Sequence, residues 1–276
     1  MLVNSKELFK LALKNNYAIG AYNINNLEWT KYILEACQED KSPVILSASE
    51  SSIKYMGGYS TVSSLVKNLI KELNITIPVV LHLDHGKSFE SCQSAIDNGF
   101  TSVMIDASSL NLDDNIKLTL EVINYANSKN VSVEAEVGVI AEKNVPADPE
   151  DAKEFVMETG VHSLAPSIGN KHGVYKTLDE IDFELLGEIS KVCKVPLVMH
   201  GASGLDDNKI KTAIFCGVTK FNINTDIMIA WSNMIRKYLH ENKEEIDPRK
   251  IISSGRDAIK KTVHEKNMLF NSVNKG

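Results

Sequence analysis

Three histidines stand where separate apolar segments of the chain end or turn, and their residue type suits metal chemistry. His85 follows the segment PVVLHLD, His172 lies in the turn GNKHG, and His200 ends the segment PLVMH. Three neutral imidazoles are the donors of one kind of catalytic zinc site, because they leave one coordination position open for a substrate. The pattern therefore predicts a zinc site made from His85, His172 and His200.

A fourth histidine, His82, lies close to this set but should have a different role. Side chains alternate between the two faces of a strand, so His82 points the same way as Asp84 and away from His85. We therefore expect His82 to pack beneath the site. No chemistry is expected of the remaining histidines, which are His162, His240 and His264.

The elements that must position these groups are eight short apolar runs, which alternate with amphipathic helical segments. The runs cover residues 18–24, 43–49, 78–84, 102–108, 131–137, 162–168, 196–201 and 220–225. Strands that alternate with helices form a parallel sheet covered on both faces. Eight such units predict an α/β protein with a (β/α)8 TIM barrel. A doubly wound open sheet is the structural alternative, but no G-x-G-x-x-G motif follows the first run.

Polar residues gather at the C-terminal ends of these predicted strands, where active sites on this barrel lie. They come from seven different strands or the turns that follow them: Ser47, Ser49, Asp84, His85, Asp106, Glu134, Glu136, His172, His200, Asn222, Asn224, Thr225 and Asp226. Polar ends on so many strands indicate a functional rim.

Two glycine-bearing turns at this rim are suited to an anion. One is His172-Gly173, and the other is HGASG, residues 200–204, which precedes a helix beginning near Asp206. Glycines let backbone N–H groups approach an anion, and a following helix favours negative charge. With the hydroxyls of Ser203 and Thr225, these turns predict a phosphate site.

Composition limits the remaining possibilities. The chain has 276 residues, 43% hydrophobic and 24% charged, with a net charge of −6. These values are typical of one soluble globular domain, which we expect to span residues 1–276 with a C-terminal helical extension from about 243. No basic patch indicates nucleic acid, and no apolar run approaches a membrane span of ~20 residues. The N-terminal lysines, and the four cysteines without a C-x-x-C pair, predict a cytoplasmic protein with buried free thiols.

Several motifs together resemble the zinc-dependent class II fructose-bisphosphate aldolases and their tagatose-bisphosphate relatives. These are YNINNLE, KSPVIL, KYMGGY, VVLHLDHG, GFTSVMIDAS, VSVEAEVG, SIGNKHGVY, VMHGASGL, NINTD and DPRK with GRDAIK. The likeness runs nearly end to end. It implies a barrel, a homodimer or homotetramer, and cleavage of a ketose bisphosphate to dihydroxyacetone phosphate and glyceraldehyde 3-phosphate.

The resemblance also implies roles for individual residues. It assigns zinc to His85, His172 and His200, and it makes Asp84 the catalytic acid/base. Asp106 and Glu136 match carboxylates offered to a second divalent or a monovalent cation. The residues matching substrate-binding positions are Ser49, Gly173, Gly201, Ala202, Ser203, Asn222, Asn224, Thr225 and Arg256. Of these, Arg256 matches an arginine that reaches the far phosphate, often across a subunit interface.

The chain departs from the family after VEAEVG. The family has a mobile Gly-Gly-x-Glu-Asp loop there, whose acidic residue moves a proton, whereas this chain has the shorter VIAEKNVPADP. Glu142 is the candidate replacement, although Pro146 and the missing glycines restrict a lid.

This departure leaves several functions open. They are a fructose 1,6-bisphosphate aldolase, a tagatose 1,6-bisphosphate aldolase, and a protein that binds metal and sugar phosphate with weak or no turnover. An aldolase for a phosphate-free aldehyde is disfavoured by Arg256. A barrel metallohydrolase ranks last.

Overall fold

The strands of the computed structural model, which describes residues 2–140, 144–171, 173 and 181–276, close into one parallel barrel. Their order around the barrel is the order of the chain, and β1 pairs with β8. The strands are β1 Ile19–Asn23, β2 Val44–Ser49, β3 Val79–Gly86, β4 Ser102–Ile105, β5 Ser132–Val137, β6 Ser163–Pro166, β7 Leu197–Met199 and β8 Val218–Ile223. The predicted TIM barrel is confirmed.

Helices alternate with these strands and cover the outside of the barrel. They are α1 Lys6–Lys14, α2 Leu27–Glu39, α3 Glu50–Tyr55, α4 Tyr59–Glu72, α5 Phe89–Asp97, α6 Leu112–Ser128, α7 Pro149–Thr159, α8 Phe183–Cys193, α9 Asp207–Phe215, α10 Thr225–Glu241, α11 Pro248–Ser253 and α12 Arg256–Leu269. In the part of the chain that the structure describes, no helix is long and apolar enough to cross a membrane.

The strands bury apolar residues on both faces, and this divides the core into two clusters. The larger cluster lies between the strands and the outer helices. The smaller one contains Ile19, Ala21, Ile45 and Val80 from the strands, together with Phe9 and other residues of α1. Helix α1 therefore covers the N-terminal end of the barrel and packs there with apolar side chains of β1, β2 and β3.

The inward side chains become polar higher along the same strands. On β3, Val80 lies in the small apolar cluster, His82 is buried above it, and Asp84 lines a pocket. Alternate residues of a strand share one face. Strand β3 thus carries an apolar lower end and a polar upper end.

Helices α11 and α12 lie within the C-terminal segment from about 243, which was expected to extend the barrel. Tyr22 on β1 donates to the Asn267 side chain at 2.7 Å, and Phe270 stacks on Phe221 of β8 at 4.8 Å between ring centres. These contacts cover the outside of the β1–β8 seam. Cys37, Cys92 and Cys193 are buried as expected, whereas Cys216 is only half-buried.

Candidate active site

The polar upper ends of the strands surround a pocket of about 220 Å³ at the C-terminal end of the barrel. Its lining residues are Asn23, Ser49, Asp84, His85, Gly173, Gly201, Ser203, Asn222, Asn224 and Thr225. Parallel strands bring their carboxyl ends to one rim, so residues far apart in sequence meet there. All but Asn23 were predicted from the sequence to act in one site.

Asp84 is held on the pocket floor by two side-chain amides, one from β1 and one from β8. Asn23 Nδ2 donates to one carboxylate oxygen at 2.9 Å, and Asn222 Nδ2 donates to the other at 3.0 Å. Burial opposes ionisation, but the positive potential of His85, His200 and Lys220 outweighs it, so the pKa of Asp84 lies well below its usual range. Asp84 is therefore a fixed carboxylate that accepts hydrogen bonds.

His85 reaches the same pocket because the strand breaks its alternation at this residue. Its φ is +53°, and the pairing of β3 with β4 shifts register between Leu83 and Gly86. A Cβ on Gly86 would lie 2.8 Å from the Met104 carbonyl oxygen, so the bulge needs glycine there. The bulge places the His85 ring 4.6 Å from the ring of His200, measured between centres.

Two overlapping groups of side chains present donors suited to a metal ion. In the first group, single ligand atoms of Asp84, His85 and His200 all lie within 4.8 Å of one another. The second group is His85, Asp106 and Glu136, at the same spacing. His172, the third histidine of the prediction, lies outside the described residues, as does Glu142.

The second group has an unused acceptor, which fits a cation. Glu136 Oε1 accepts from Ser108 Oγ and from the Ile140 N–H, each at 2.9 Å. Its Oε2 is buried with no hydrogen-bond partner among the described residues. Burial, followed by the nearby Asp106 charge, raises the pKa of Glu136 to about 7. Imidazole with carboxylate donors suits a divalent metal such as zinc, so both groups fit the predicted ion.

Asp106 holds His85, the residue that the two groups share. Its Oδ2 accepts from His85 Nδ1 at 2.9 Å and from Lys87 Nζ at 2.6 Å, and its Oδ1 accepts from Ser108. Burial opposes its ionisation, but the bonds from His85 and Lys87 prevail and hold the pKa of Asp106 well below its usual range. Asp106 thus fixes the orientation of the His85 ring.

A further wall of the pocket, next to Asn222, contains residues of the predicted phosphate turns. Gly201 has φ +67°, and a Cβ there would lie 2.0 Å from the Lys171 carbonyl oxygen. Only glycine allows these two segments to come so close. Ala202 is buried beside the wall and donates its N–H to the Asn222 carbonyl at 3.3 Å.

Helix α10 begins at this wall. Its first residue, Thr225, and the preceding Asn224 both line the pocket, and the Asn224 side-chain oxygen is buried without a hydrogen-bond partner in the described chain. The Asp226 N–H donates to Ser203 Oγ at 3.4 Å. The wall therefore presents a hydroxyl, a glycine turn and the positive end of a 17-residue helix to an anion.

Two predicted substrate residues differ in their placement. Ser49 lines the pocket, and its hydroxyl accepts from the Ser52 N–H at the start of α3. Arg256 does not line the pocket within this chain. It lies on the surface, donates to Glu35 at 2.9 Å, and has its guanidinium 5.9 Å from the centre of the Tyr32 ring.

The sequence interpretation missed Asn23 and did not assign the buried groups beneath the pocket. Asn23 is the last residue of β1, so its position at the rim was the available signal. Glu134 was noted only as a polar strand end, and Lys220 was read only as part of an apolar run. Both point inward, because Glu134 is two residues below Glu136 on β5 and Lys220 is two below Asn222 on β8.

Comparison with known proteins decides the family. A family model described as fructose-bisphosphate aldolase class-II matches residues 3–275. The chain belongs to the class II fructose-bisphosphate aldolases. This confirms the resemblance and the predicted enzyme class, and it places the pocket in a family of metal-dependent enzymes that act on sugar phosphates.

Individual relatives of this class II aldolase cover nearly its whole length. A fructose-bisphosphate aldolase of Geobacillus stearothermophilus is 47% identical, covering 99% of this chain and 98% of its own. The YdjI aldolase from Escherichia coli is 35% identical with a TM-score of 0.89, covering 100% and 99%. The fructose-bisphosphate aldolase of Campylobacter jejuni is 25% identical with a TM-score of 0.88, covering 100% and 97%.

Proposed function

We propose that this protein reversibly cleaves fructose 1,6-bisphosphate to dihydroxyacetone phosphate and glyceraldehyde 3-phosphate. The observation that carries the proposal is the position of Asp84. It is a carboxylate held by Asn23 and Asn222, one of its oxygens lies within 4.8 Å of ligand atoms of His85 and His200, and it shares a pocket with Gly201, Ser203 and the start of α10.

Zinc is the metal that we propose for the first group. His85 and His200, with His172 as the third ligand, would hold it, and Asp106 and Glu136 would serve a second divalent or a monovalent cation. When bound, zinc acts as a Lewis acid that stabilises negative charge developing on the ketose oxygens. No lysine that forms a Schiff base is then needed.

Asp84 moves the proton at C4. In the cleavage direction its carboxylate accepts the proton of the C4 hydroxyl while the C3–C4 bond breaks. The bond pair stays with the dihydroxyacetone phosphate half, and C4 becomes the aldehyde carbon. In condensation Asp84 returns the proton to the aldehyde oxygen. The two amide donors keep its oxygens at fixed positions, and a fixed acceptor lowers the cost of reaching the transition state.

The phosphate of the dihydroxyacetone half is assigned to the wall that contains Gly173, Gly201, Ala202, Ser203, Asn222, Asn224 and Thr225. Its charge would meet backbone N–H groups, hydroxyls and the start of α10. Ser49, next to Asp84 on the adjacent strand, is assigned to a substrate hydroxyl.

The shortened loop is the feature that tests this proposal most severely. Its flanks are tied together, because Val139 and Val145 exchange backbone hydrogen bonds of 2.8 and 3.0 Å. Asn144 also donates to the Asn170 carbonyl at 2.6 Å. We assign the second proton transfer, at C3 of the dihydroxyacetone half, to Glu142 between these flanks. Short tethered flanks favour slower turnover than a free lid gives.

The deciding experiment measures initial rates of aldol cleavage with purified protein, using fructose and tagatose 1,6-bisphosphate before and after chelation and zinc restoration. We expect zinc-dependent cleavage, faster with the fructose sugar. Preference for tagatose 1,6-bisphosphate would reassign the substrate at C4. Zinc and dihydroxyacetone phosphate binding without cleavage of either sugar would overturn the proposal in favour of a binding protein.

We also propose that the chain forms a homodimer or homotetramer through α10. Ile227 is the one fully buried residue of this helix, all of which is described, and Met228 and Ile229 are half exposed. A groove between Trp29, Met228 and Trp231 borders the catalytic pocket at Thr225. Trp231 also contacts Gly255, next to Arg256. A second copy on this face would cover the apolar groove and bring Arg256 near a neighbouring pocket. We place the protein in the cytoplasm, where its free thiols stay reduced.

Light scattering coupled to size-exclusion chromatography tests this assembly. We expect the wild type to elute as a dimer or tetramer and Ile229→Glu as a monomer. The matched control is Met157→Glu on α7, an exposed methionine away from the groove, which should leave the mass unchanged. A monomeric wild type would reject the assembly and the proposed role of Arg256.

A further inference from the structure

Directly beneath the pocket floor, the barrel encloses an ion pair that the proposed chemistry does not use. Lys220 Nζ donates to both carboxylate oxygens of Glu134, at 2.9 and 2.7 Å, and lies 3.2 Å from His82 Nε2. Lys220, Glu134 and His82 are all at most 2% exposed. His82 also contacts Ser102 Oγ through its Nδ1 at 2.8 Å.

Stability alone is a weak reason for such a pair. Removing two charges from water costs several kcal/mol each in effective terms, and apolar residues of similar volume often do as well or better. The layer below includes the apolar inward residues Ile45 and Val80. The charged layer above them therefore indicates that Lys220, Glu134 and His82 act on a neighbouring group.

The neighbouring group on which they act is His200. Glu134 Oε1 lies 2.9 Å from His200 Nε2, within hydrogen-bond distance. A carboxylate only accepts hydrogen bonds, so the proton of the His200 ring must be on Nε2, and Nδ1 keeps its lone pair. Lys220 bonds both oxygens of Glu134 and so prevents the carboxylate from turning away. The pair spans the barrel from β8 to β5, and its anchor points are therefore rigid.

We propose that Lys220 and Glu134 are positioning residues that fix His200 in the Nε2–H tautomer, with Nδ1 as its metal-ligating atom. The proposal rests on the proposed function only in treating His200 as a metal ligand. A carboxylate that orients a ligating histidine typically contributes 10–100-fold to metal affinity.

Two double variants isolate the orienting hydrogen bond from the charges. Lys220→Met with Glu134→Gln removes both charges but keeps an amide oxygen that can accept from His200. In this variant the side-chain NH2 at position 134 would take the place of Glu134 Oε2, which lies 3.9 Å from His82 Nε2. Lys220→Met with Glu134→Leu removes the same charges at similar volume and leaves no acceptor.

Zinc dissociation constants measured by chelator competition give the first readout, and 15N spectra of histidine-labelled apoprotein give the second. His200→Gln identifies the signal of the His200 ring. We expect the Gln double variant to stay within about 3-fold of the wild-type zinc affinity and to keep the Nε2–H tautomer. The Leu double variant should lose about 10–100-fold in affinity and show mixed tautomers.

Ser47→Ala is the control within the same layer, since Ser47 is buried and pairs in register with His82 on the adjacent strand. It should change neither readout. Equal zinc affinity and an unchanged tautomer in the Leu double variant would overturn the proposal.

Should the Leu double variant fail to fold, Glu134→Asp provides the same test with the charge kept. Its carboxylate is shorter by one methylene, so we expect about 10-fold weaker zinc binding. Wild-type values for this variant would also overturn the proposal. Neither readout measures turnover, so a protein that binds zinc without cleaving sugar would reject the proposed function and leave this inference testable.

Discussion

The two ends of the barrel are built from the same eight strands but have opposite properties. At the N-terminal end, α1 lies across the opening, and Phe9 belongs to one apolar cluster with Ile19, Ile45 and Val80. At the C-terminal end polar side chains line the pocket, and Glu136 Oε2, Asn222 Oδ1 and Asn224 Oδ1 are buried without hydrogen-bond partners among the described residues.

The difference shows how one scaffold separates stability from chemistry. Apolar groups removed from water stabilise the fold, and unused polar atoms cost stability unless a ligand satisfies them. The closed end of the barrel provides the stabilising apolar burial, and the open end carries the unused polar atoms. Substitutions at the open end should therefore change activity more than stability, and those at the closed end should do the reverse.

The largest effect is expected at the open end from Asp84→Asn. The amide is similar in shape but cannot take the C4 proton, so kcat for fructose 1,6-bisphosphate should fall by about 10²–10⁴-fold. Zinc content and the unfolding midpoint should stay near those of the wild type. Steady-state kinetics and metal analysis provide the check, with Asp113→Asn on exposed α6 as the control. A kcat close to the wild-type value would remove Asp84 from the mechanism.

At the closed end, Phe9→Ala should have the largest effect on stability. Phe9 is 1% exposed, and loss of its ring leaves a cavity against the barrel interior. We expect the free energy of unfolding to fall by about 3–5 kcal/mol in urea titrations. Leu11→Ala on the same helix is the control, because Leu11 is half exposed and should cost below about 0.5 kcal/mol. A large loss of kcat per folded molecule in Phe9→Ala would contradict the separation of the two ends.

A pH effect on stability is expected at His162, just before β6 at the closed end. Its Nδ1 accepts from the Val133 N–H at 2.9 Å, and burial, followed by the charge of Lys6, lowers the pKa of His162 to about 4. The unfolded imidazole has a pKa near 6.5, so the unfolded state binds the proton first. The contribution of His162 to stability is fully present above pH ~6.5 and is lost as the pH falls towards about 4.

His162→Asn tests this effect, because an amide oxygen can accept from Val133 without titrating. Urea midpoints of the wild type and the variant should diverge between pH 6.5 and 4, by about 2 kcal/mol after allowing for the partial exposure of the ring. The pH profile of kcat should be the same for both proteins. Parallel loss of stability in the two proteins across this window would exclude His162 as the titrating group.

The smallest effect is expected from Ser5→Ala, where α1 is tied to β5. Ser5 Oγ donates to Ser132 Oγ at 2.9 Å, and the Ser5 N–H reaches the same oxygen at 3.2 Å. Loss of one such bond should cost about 1 kcal/mol. A double-mutant cycle with Ser132→Ala measures the coupling. A coupling near zero would show that this serine pair does not help to hold α1 on the barrel.

The sequence was sufficient to predict the barrel and most of the pocket, because both depend on simple periodic rules. The apolar runs matched the strands to within two residues at every boundary except the end of β4, which stops at Ile105, three residues before the predicted end at 108. Polar residues at strand ends had to meet at one rim once the barrel closed.

Features that depend on contacts between distant strands were beyond such rules. Alternation alone turns His85 away from Asp84, and only the β3–β4 register shift brings it back. Lys220 carries no local sign that Glu134, on the far side of the barrel, will neutralise it. The pairing of Arg256 with Glu35 likewise joins two helices that are far apart in sequence.

The β1–β8 seam has a consequence for the order in which the site can assemble as the chain is synthesised. His85, Asp106 and Glu136 come from three consecutive strands, so a nascent chain extending just past Val137 already contains that whole metal cluster. Asp84 gains its second amide partner, Asn222, only after β8 has been made and has joined β1. The residues of this donor group are thus all present early in synthesis, whereas Asp84 has both of its amide partners only when the last strand closes the barrel.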